Sequence, residues 1–215
     1  MKIQYNKKVC IVGTGGFGRE TLCCLIDSLA AQNLKAADIA CFMVADQDFQ
    51  EKTVMGIPVI PQSQFEPDKY EVLVGIGDSK TRKKVVEGLP AGTKFTTVIH
   101  PNVVMSDWVE IGEGSIITAG TIITCNIKIG KHAQLNLHST IGHDCVIGDY
   151  FTAGPGTNVS GICTFGNNVY FGTNASVKQG ISICDDVVIG MGSVVTKNIT
   201  EPGIYVGSPA KKLEK

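Results

Sequence analysis

The chain has no excess of charge of either sign. Its 19 Lys and Arg stand against 20 Asp and Glu, a formal net charge of −1. That removes the basic footprint expected of a nucleic-acid binder. It also has no apolar run long enough to span a bilayer. The stretch from Met1 to Lys8 is polar and lacks the apolar core of a secretory signal, so a cytoplasmic protein is expected. No Cys-x-x-Cys pair of the metal-binding type occurs among the 8 cysteines, and Cys23 and Cys24 are adjacent. The cysteines are expected to be reduced core residues in a reducing compartment. With 215 residues, 43% hydrophobic and 18% charged, the chain fits one large globular domain or two small ones.

What the chain does have is a six-residue rhythm through its second half. From Met105, steps of six land on Ile111, Ile117, Ile123, Ile129, Leu135, Ile141, Ile147, Ala153, Val159, Phe165, Phe171, Val177, Ile183, Ile189 and Val195. The column two residues earlier is small or apolar, as at Ser115, Thr121, Ala133, Cys145 and Cys163. Glycine often follows the aliphatic residue, as at Gly112, Gly130, Gly142 and Gly148. A helix repeats its apolar stripe every three to four residues, and a lone strand every two. Short strands separated by tight turns account for a period of six. Three strands make a triangular coil, and stacked coils form a parallel β-helix that buries what one coil cannot. Glycine in the turns is expected to supply positive φ.

A different module precedes the repeats. Val9–Val12 is a β-rich run, followed by Gly13-Thr14-Gly15-Gly16-Phe17-Gly18, which fits Gly-x-Gly-x-x-Gly. A helix is expected from Arg19 to about Ala31, a strand over Ile39–Ala45 ending at Asp46, and a third strand over Val72–Gly77. A helix carrying Arg82 follows Asp78, and Phe95–Ile99 is expected as the last strand before the β-helix. Alternating strands and helices imply a parallel sheet with crossover helices, a Rossmann-like α/β arrangement. The boundary is placed at His100-Pro101, giving domains 1–100 and 101–215.

A glycine loop between strand and helix suits phosphate, because backbone amides and the helix dipole face the anion. The module is short for a dinucleotide, and Asp46 comes later than the usual acidic position, so a mononucleotide or nucleotide sugar fits better. Gly13, Gly15, Gly16, Phe17 and Gly18 are the candidate phosphate-binding residues, with Asp46, Asp78 and Arg82 at the strand ends. A purely structural turn remains the bland alternative.

There are 4 histidines. His143 lies in Ile141-Gly142-His143-Asp144, on an expected turn beside a carboxylate that could orient the imidazole for general-base work. One coil later in the same column is Gly161, whose amide could serve as an oxyanion donor. A solvated turn histidine beside a turn aspartate is the alternative. His100 is expected at the domain junction, and His132 as a solvated turn residue. His138 forms His-x-x-x-x-His with His143.

These residues resemble the NeuD/PglD-like sugar O-/N-acyltransferases, a hexapeptide-repeat family. The likeness spans the glycine-loop domain, the hexapeptides, Ile141-Gly142-His143-Asp144-Cys145-Val146-Ile147-Gly148 and the ending Val206-Gly207-Ser208-Pro209-Ala210-Lys211. It implies a left-handed β-helix, His143 as general base, Asp144 as its partner and Gly161 at the acetyl carbonyl. It further implies acetyl-CoA along the β-helix, lined by Gly190, Met191 and Gly192 and by Gly207, Ser208, Pro209, Ala210 and Lys211. A homotrimer with active sites between subunits, no catalytic metal and a nucleotide-linked amino sugar or sialic-acid-type acceptor are also implied. Phe17 and Thr152 stand where relatives place histidines, and Ala45-Asp46 where they place paired acids. Two other readings use the same β-helix. One is a gamma-type carbonic anhydrase, binding zinc through His138 and His143, with Asn102 standing in the third ligand position. The other is a non-catalytic sugar-binding scaffold.

Overall fold

The computed structural model describes residues 5, 7–50 and 52–214, so most of the polar Met1–Lys8 stretch lies outside the described residues. The first module is a six-stranded sheet with helices. β1 (Lys8–Val12) leads into α1 (Gly16–Ala30), a short α2 (Ala36–Ile39) and β2 (Ala40–Val44). β3 (Thr53–Val54) and β4 (Ile57–Pro61) form a hairpin, and then come β5 (Tyr70–Val74), α3 (Ser79–Gly88) and β6 (Lys94–Phe95). The order is β3-β4-β2-β1-β5-β6, parallel except for the hairpin pair. The apolar face of α1, with Leu22, Leu25 and Leu29 fully buried, packs on Val9, Ile11 and Leu73. The hairpin was not expected from sequence. Its strands carry Pro58 and Pro61 and a two-residue first arm, too weak a pattern to stand out from a loop.

The second module is a left-handed parallel β-helix of three sheets. Registers such as Gln134↔Thr152, Thr140↔Asn158 and Val146↔Thr164 show each coil stacking on the next in parallel. The aliphatic column forms the core, from Ile117 to Val195, together with Ala133, Cys145, Phe151 and Cys163 from the second column. The expected last strand, Phe95–Ile99, is two strands in different sheets. Lys94–Phe95 pairs with β5, whereas β7 (Val98–Ile99) pairs with Ile116–Ile117 in the first coil. The chain thus changes sheet ahead of His100-Pro101.

The reason for the glycines also differs from expectation. Positive φ recurs every six residues at Gly114, Gly120, Asn126, His132, His138, Asp144, Tyr150, Gly156, Ile162, Asn168, Asn174, Gly180, Asp186 and Gly192. Only some of these are glycine. Gly112 and Gly148, in the other column, do not have positive φ. They are small because coils stack closely: a Cβ on Gly112 would lie 2.6 Å from the Gly130 carbonyl carbon, and one on Gly148 2.6 Å from the Gly166 oxygen.

The two modules dock along one face of the prism. Ile116 is fully buried among α1 residues, and Gln134 Nε2 donates to the Val74 carbonyl at 2.9 Å. Arg82, fully buried, is the main clasp. Its Nη1 donates to the Ile76 and Gly77 carbonyls at 2.8 and 3.1 Å. Its Nη2 donates to the Tyr150 and Phe151 carbonyls and to Thr152 Oγ1 at 2.8, 3.2 and 2.9 Å. At the other edge His100 Nε2 lies 2.9 Å from Asp27 Oδ2 of α1, so His100 does join the modules.

Candidate active site

His143 stands on the corner between strands Thr140–Ile141 and Val146–Ile147. Asp144, next to it, has φ 60°, which turns its carboxylate back along the corner. Nδ1–H of His143 donates to Asp144 Oδ2 at 2.7 Å, leaving Nε2 as the acceptor of a neutral imidazole. Hydrogen bonds from His143 and then from Asn126 hold the Asp144 carboxyl below the usual range. Both side chains are about half exposed, so solvent or a ligand reaches them.

The next coil puts Gly161 against the ring. A Cβ there would sit 2.7 Å from His143 Nε2 and 2.8 Å from Cε1, so only glycine leaves the imidazole its place. The Gly161 amide donates to no acceptor among the described residues. A basic nitrogen and a free N–H therefore meet at one corner, an arrangement that can accept a proton and stabilise an oxyanion.

Further up the stack the structure joins the two segments expected to line a cofactor groove. Gly190–Gly192 form a corner with Met191 largely exposed. The tail returns beside it. Gly207 N donates to Ser193 Oγ at 3.0 Å, Val194 N donates to the Gly207 carbonyl at 3.0 Å, and Ala210 N donates to the Val194 carbonyl at 2.8 Å. Lys211 pairs with Val206 in the closing hairpin, so Ser208 and Pro209 form its turn.

In the first module, Gly13 has φ +95° and makes the turn, while a Cβ on Gly18 would run into the Gly13 carbonyl. Those two glycines shape the loop. Gly15 and Gly16 face open space at the start of α1, and they are the positions a phosphate could approach. Phe17 is partly buried against the module's core. A cleft beside the loop is lined by Thr14, Arg19, Val44, Asp48, Gln50, Val54 and Val59.

None of the sequence candidates is in that lining, and the three charged ones are engaged elsewhere. Asp46 Oδ1 accepts from Ser63 N at 3.2 Å and from Ser63 Oγ at 2.5 Å. Asp78 caps α3, accepting from Thr81 N at 2.8 Å, and these Thr81 bonds hold its carboxyl low. Arg82 is not a ligand-facing cation, because its guanidinium is consumed by the module clasp. Arg19 and Asp48 take the charged positions in the cleft instead. Neither stood out in the sequence: Arg19 follows the glycine motif directly, and Asp48 lies in the turn past β2.

His132 is a correction too. It is 3% exposed, stacked on Tyr150 with centroids 5.2 Å apart and edge-on to Phe95 at 4.6 Å. Burial, and then the nearby Arg82 charge, push its pKa down to about 4. Thr152, where relatives carry a histidine, belongs to the clasp and bonds the Gly77 carbonyl at 3.1 Å. His138 and His143 occupy successive corners, and among the described residues no group of three or more His, Cys, Asp or Glu is placed to hold a metal.

Comparison with known proteins decides the family. Residues 8–89 match the PglD N-terminal domain, and residues 164–197 match the hexapeptide repeat of succinyl-transferase. GDP-perosamine N-acetyltransferase of Escherichia coli O157:H7 is 35% identical over 175 residues, covering 80% of this chain and 78% of that protein. The chain belongs to the PglD-like sugar acetyltransferases. Its relatives in three dimensions include WeeI from Acinetobacter baumannii AYE, with TM-score 0.86, 34% identity, and coverage of 97% of this chain and 100% of that one. A histidine-to-asparagine mutant of perosamine N-acetyltransferase from Caulobacter crescentus, in complex with CoA and GDP-perosamine, superposes with TM-score 0.85 at 26% identity, covering 98% of each chain. The protein is thus an acetyl-CoA-dependent sugar acetyltransferase. In this acetyltransferase the Gly190–Gly192 corner and the returning tail lie farther along the same solenoid that carries His143. No helix among its described residues is long and apolar enough to cross a membrane.

Proposed function

We propose that the enzyme transfers acetyl from acetyl-CoA to the amino group of a nucleotide-linked amino sugar, with His143 as general base. The observation that carries this reading is the His143–Asp144 bond of 2.7 Å with Gly161 against Nε2. The acceptor amine attacks the thioester carbonyl carbon. As the C–N bond forms, its proton passes to His143 Nε2, and the developing oxyanion meets the Gly161 amide. Collapse expels CoA as thiolate, which takes the proton from the imidazolium. Acetyl-CoA runs from this corner toward Gly190, Met191, Gly192 and the Gly207–Lys211 tail.

The acceptor's nucleotide belongs to the cleft beside Gly15 and Gly16. Arg19 and the start of α1 suit a diphosphate, and Asp48 suits ribose hydroxyls. GDP-perosamine, the sugar in the Caulobacter complex, is the first acceptor to test. The assembly is a homotrimer, and topology supports it. The first module covers the sheet containing Ile116, Gln134 and Thr152, whereas His143 sits at the corner joining the other two sheets. In a triangular prism that corner is opposite the covered face, so the glycine loop and His143 of one chain cannot share an acceptor. A second copy must supply one of them. Eight free cysteines fit a cytoplasmic, reducing location.

A thiol-release assay with acetyl-CoA and a panel of nucleotide amino sugars and free sialic acids tests the acceptor class. Turnover restricted to nucleotide-linked amino sugars is expected; turnover of free sialic acid alone would overturn it. Mixing subunits of inactive His143→Ala and inactive Gly15→Arg should restore part of the activity. No restoration in mixed trimers would contradict a shared site.

A further inference from the structure

We propose that Asn126 is a positioning residue for the transfer reaction, acting through Asp144 on His143. The proposal rests on the general-base reading of His143. Asn126 lies one coil below Asp144, as the register Lys128↔Val146 requires. Both residues hold the left-handed conformation, with φ 56° and 60°. That shared backbone turn stacks their side chains, and Asn126 Nδ2 donates to Asp144 Oδ1 at 3.2 Å. Asp144 Oδ2 accepts from His143 Nδ1 at 2.7 Å. The two carboxylate oxygens are thus divided between two partners.

That division has a consequence for the imidazole. A carboxylate held by one oxygen can still swing about its Cβ–Cγ bond, a broad torsion with no sharp preference. A donor on the second oxygen fixes its plane. A fixed acceptor at Nδ1 keeps the proton there and leaves Nε2 bare to take one. The chain Asn126–Asp144–His143 therefore selects the tautomer that base catalysis needs. All three side chains are solvent-accessible, so water partly substitutes when the amide is lost, and the effect is graded rather than absolute.

The same pairing occurs at another corner without a histidine beside it. Asn168 Nδ2 lies 3.4 Å from Asp186 Oδ1, and Asp186 faces Lys80 at 3.6 Å. There the stacked amide can only steady the coil. Asn168→Gly is the control for a merely structural role, because both positions have positive φ, which glycine adopts freely.

Long-range proton–nitrogen NMR of the imidazoles reads the His143 tautomer without any substrate, with the resonance assigned by its loss in His143→Ala. Asn126→Gly should shift His143 away from the Nδ1–H form, and Asn168→Gly should not. With acetyl-CoA and GDP-perosamine, Asn126→Gly should lower kcat about tenfold, a fraction of the 10²–10⁴ a positioned base contributes. KM for acetyl-CoA should stay within about twofold. In the His143→Ala background the same change should cost nothing further, the non-additivity of residues acting in series. An unchanged tautomer, or an equal loss with and without His143, overturns the proposal. Normal turnover by His143→Ala would instead defeat the general-base reading, while the NMR shift would still report on Asn126.

Discussion

The His143 ring lies against Gly161 so closely that a Cβ there would fall 2.7 Å from Nε2. Such a clash meets the end of a side chain, which can move, and not the backbone. Gly161→Ala should therefore displace the imidazole at little cost in folding. We expect kcat to fall about 10²-fold or more, within the range a positioned base supplies, with an unchanged urea midpoint. Full activity with that substitution would mean the ring position does not matter.

The stacking glycines should behave in the opposite way. Gly148→Ala drives a methyl onto the Gly166 carbonyl of the next coil, backbone against backbone. Overpacking of this kind costs about 1–3 kcal/mol, readable in urea unfolding. Gly180 has φ +77° and open space around it. Gly180→Asn should cost less than about 1 kcal/mol, because asparagine tolerates the left-handed region. Equal losses at both sites would contradict the distinction.

His132 gives the fold an acid-sensitive joint. Its pKa falls from an ordinary 6.5 to about 4, so the unfolded chain binds the extra proton between those values. Stability from this group is complete above about pH 6.5 and is lost as pH falls toward 4, by up to about 3 kcal/mol. His132→Asn keeps the left-handed corner and removes the titration. It should be less stable at pH 7.5 and show a shallower fall in urea midpoint down to pH 4.5. An unaltered slope would place the sensitivity elsewhere.

Arg82 keeps its charge at neutral pH although burial lowers its pKa to about 9. Arg82→Met leaves the carbonyls of Ile76 and Tyr150 without their donor, while those of Gly77 and Phe151 keep Thr152 Oγ1 and Gln134 N. Each unpaired buried group costs about 1–3 kcal/mol, so a loss above about 2 kcal/mol is expected. Hydrogen exchange should rise first in β5 and α3. Unchanged exchange across the module joint would show that Arg82 is not its clasp.

How much of this was legible in the sequence depends on the periodicity of each feature. The solenoid was readable because its apolar column never breaks from Met105 to Val195. The corner holding His143 and Asp144 was readable for the same reason, since counting by 18 places Gly161 above it. Asn126 was equally countable, 18 residues before Asp144, but nothing in its type marked it. The reason for the glycines was misread, because close stacking and positive φ recur at the same period and differ only in phase. Residues that work across the module joint were not legible. Arg82 looks like any helix cation, and His132 like any turn histidine, until the first module's sheet closes over them.

The most direct test is the turnover of His143→Ala with acetyl-CoA and GDP-perosamine, measured as thiol release alongside its thermal unfolding. A loss of about 10²–10⁴ in kcat with the fold intact is expected, and a smaller loss for Asp144→Asn. Wild-type turnover by His143→Ala would contradict the general-base role.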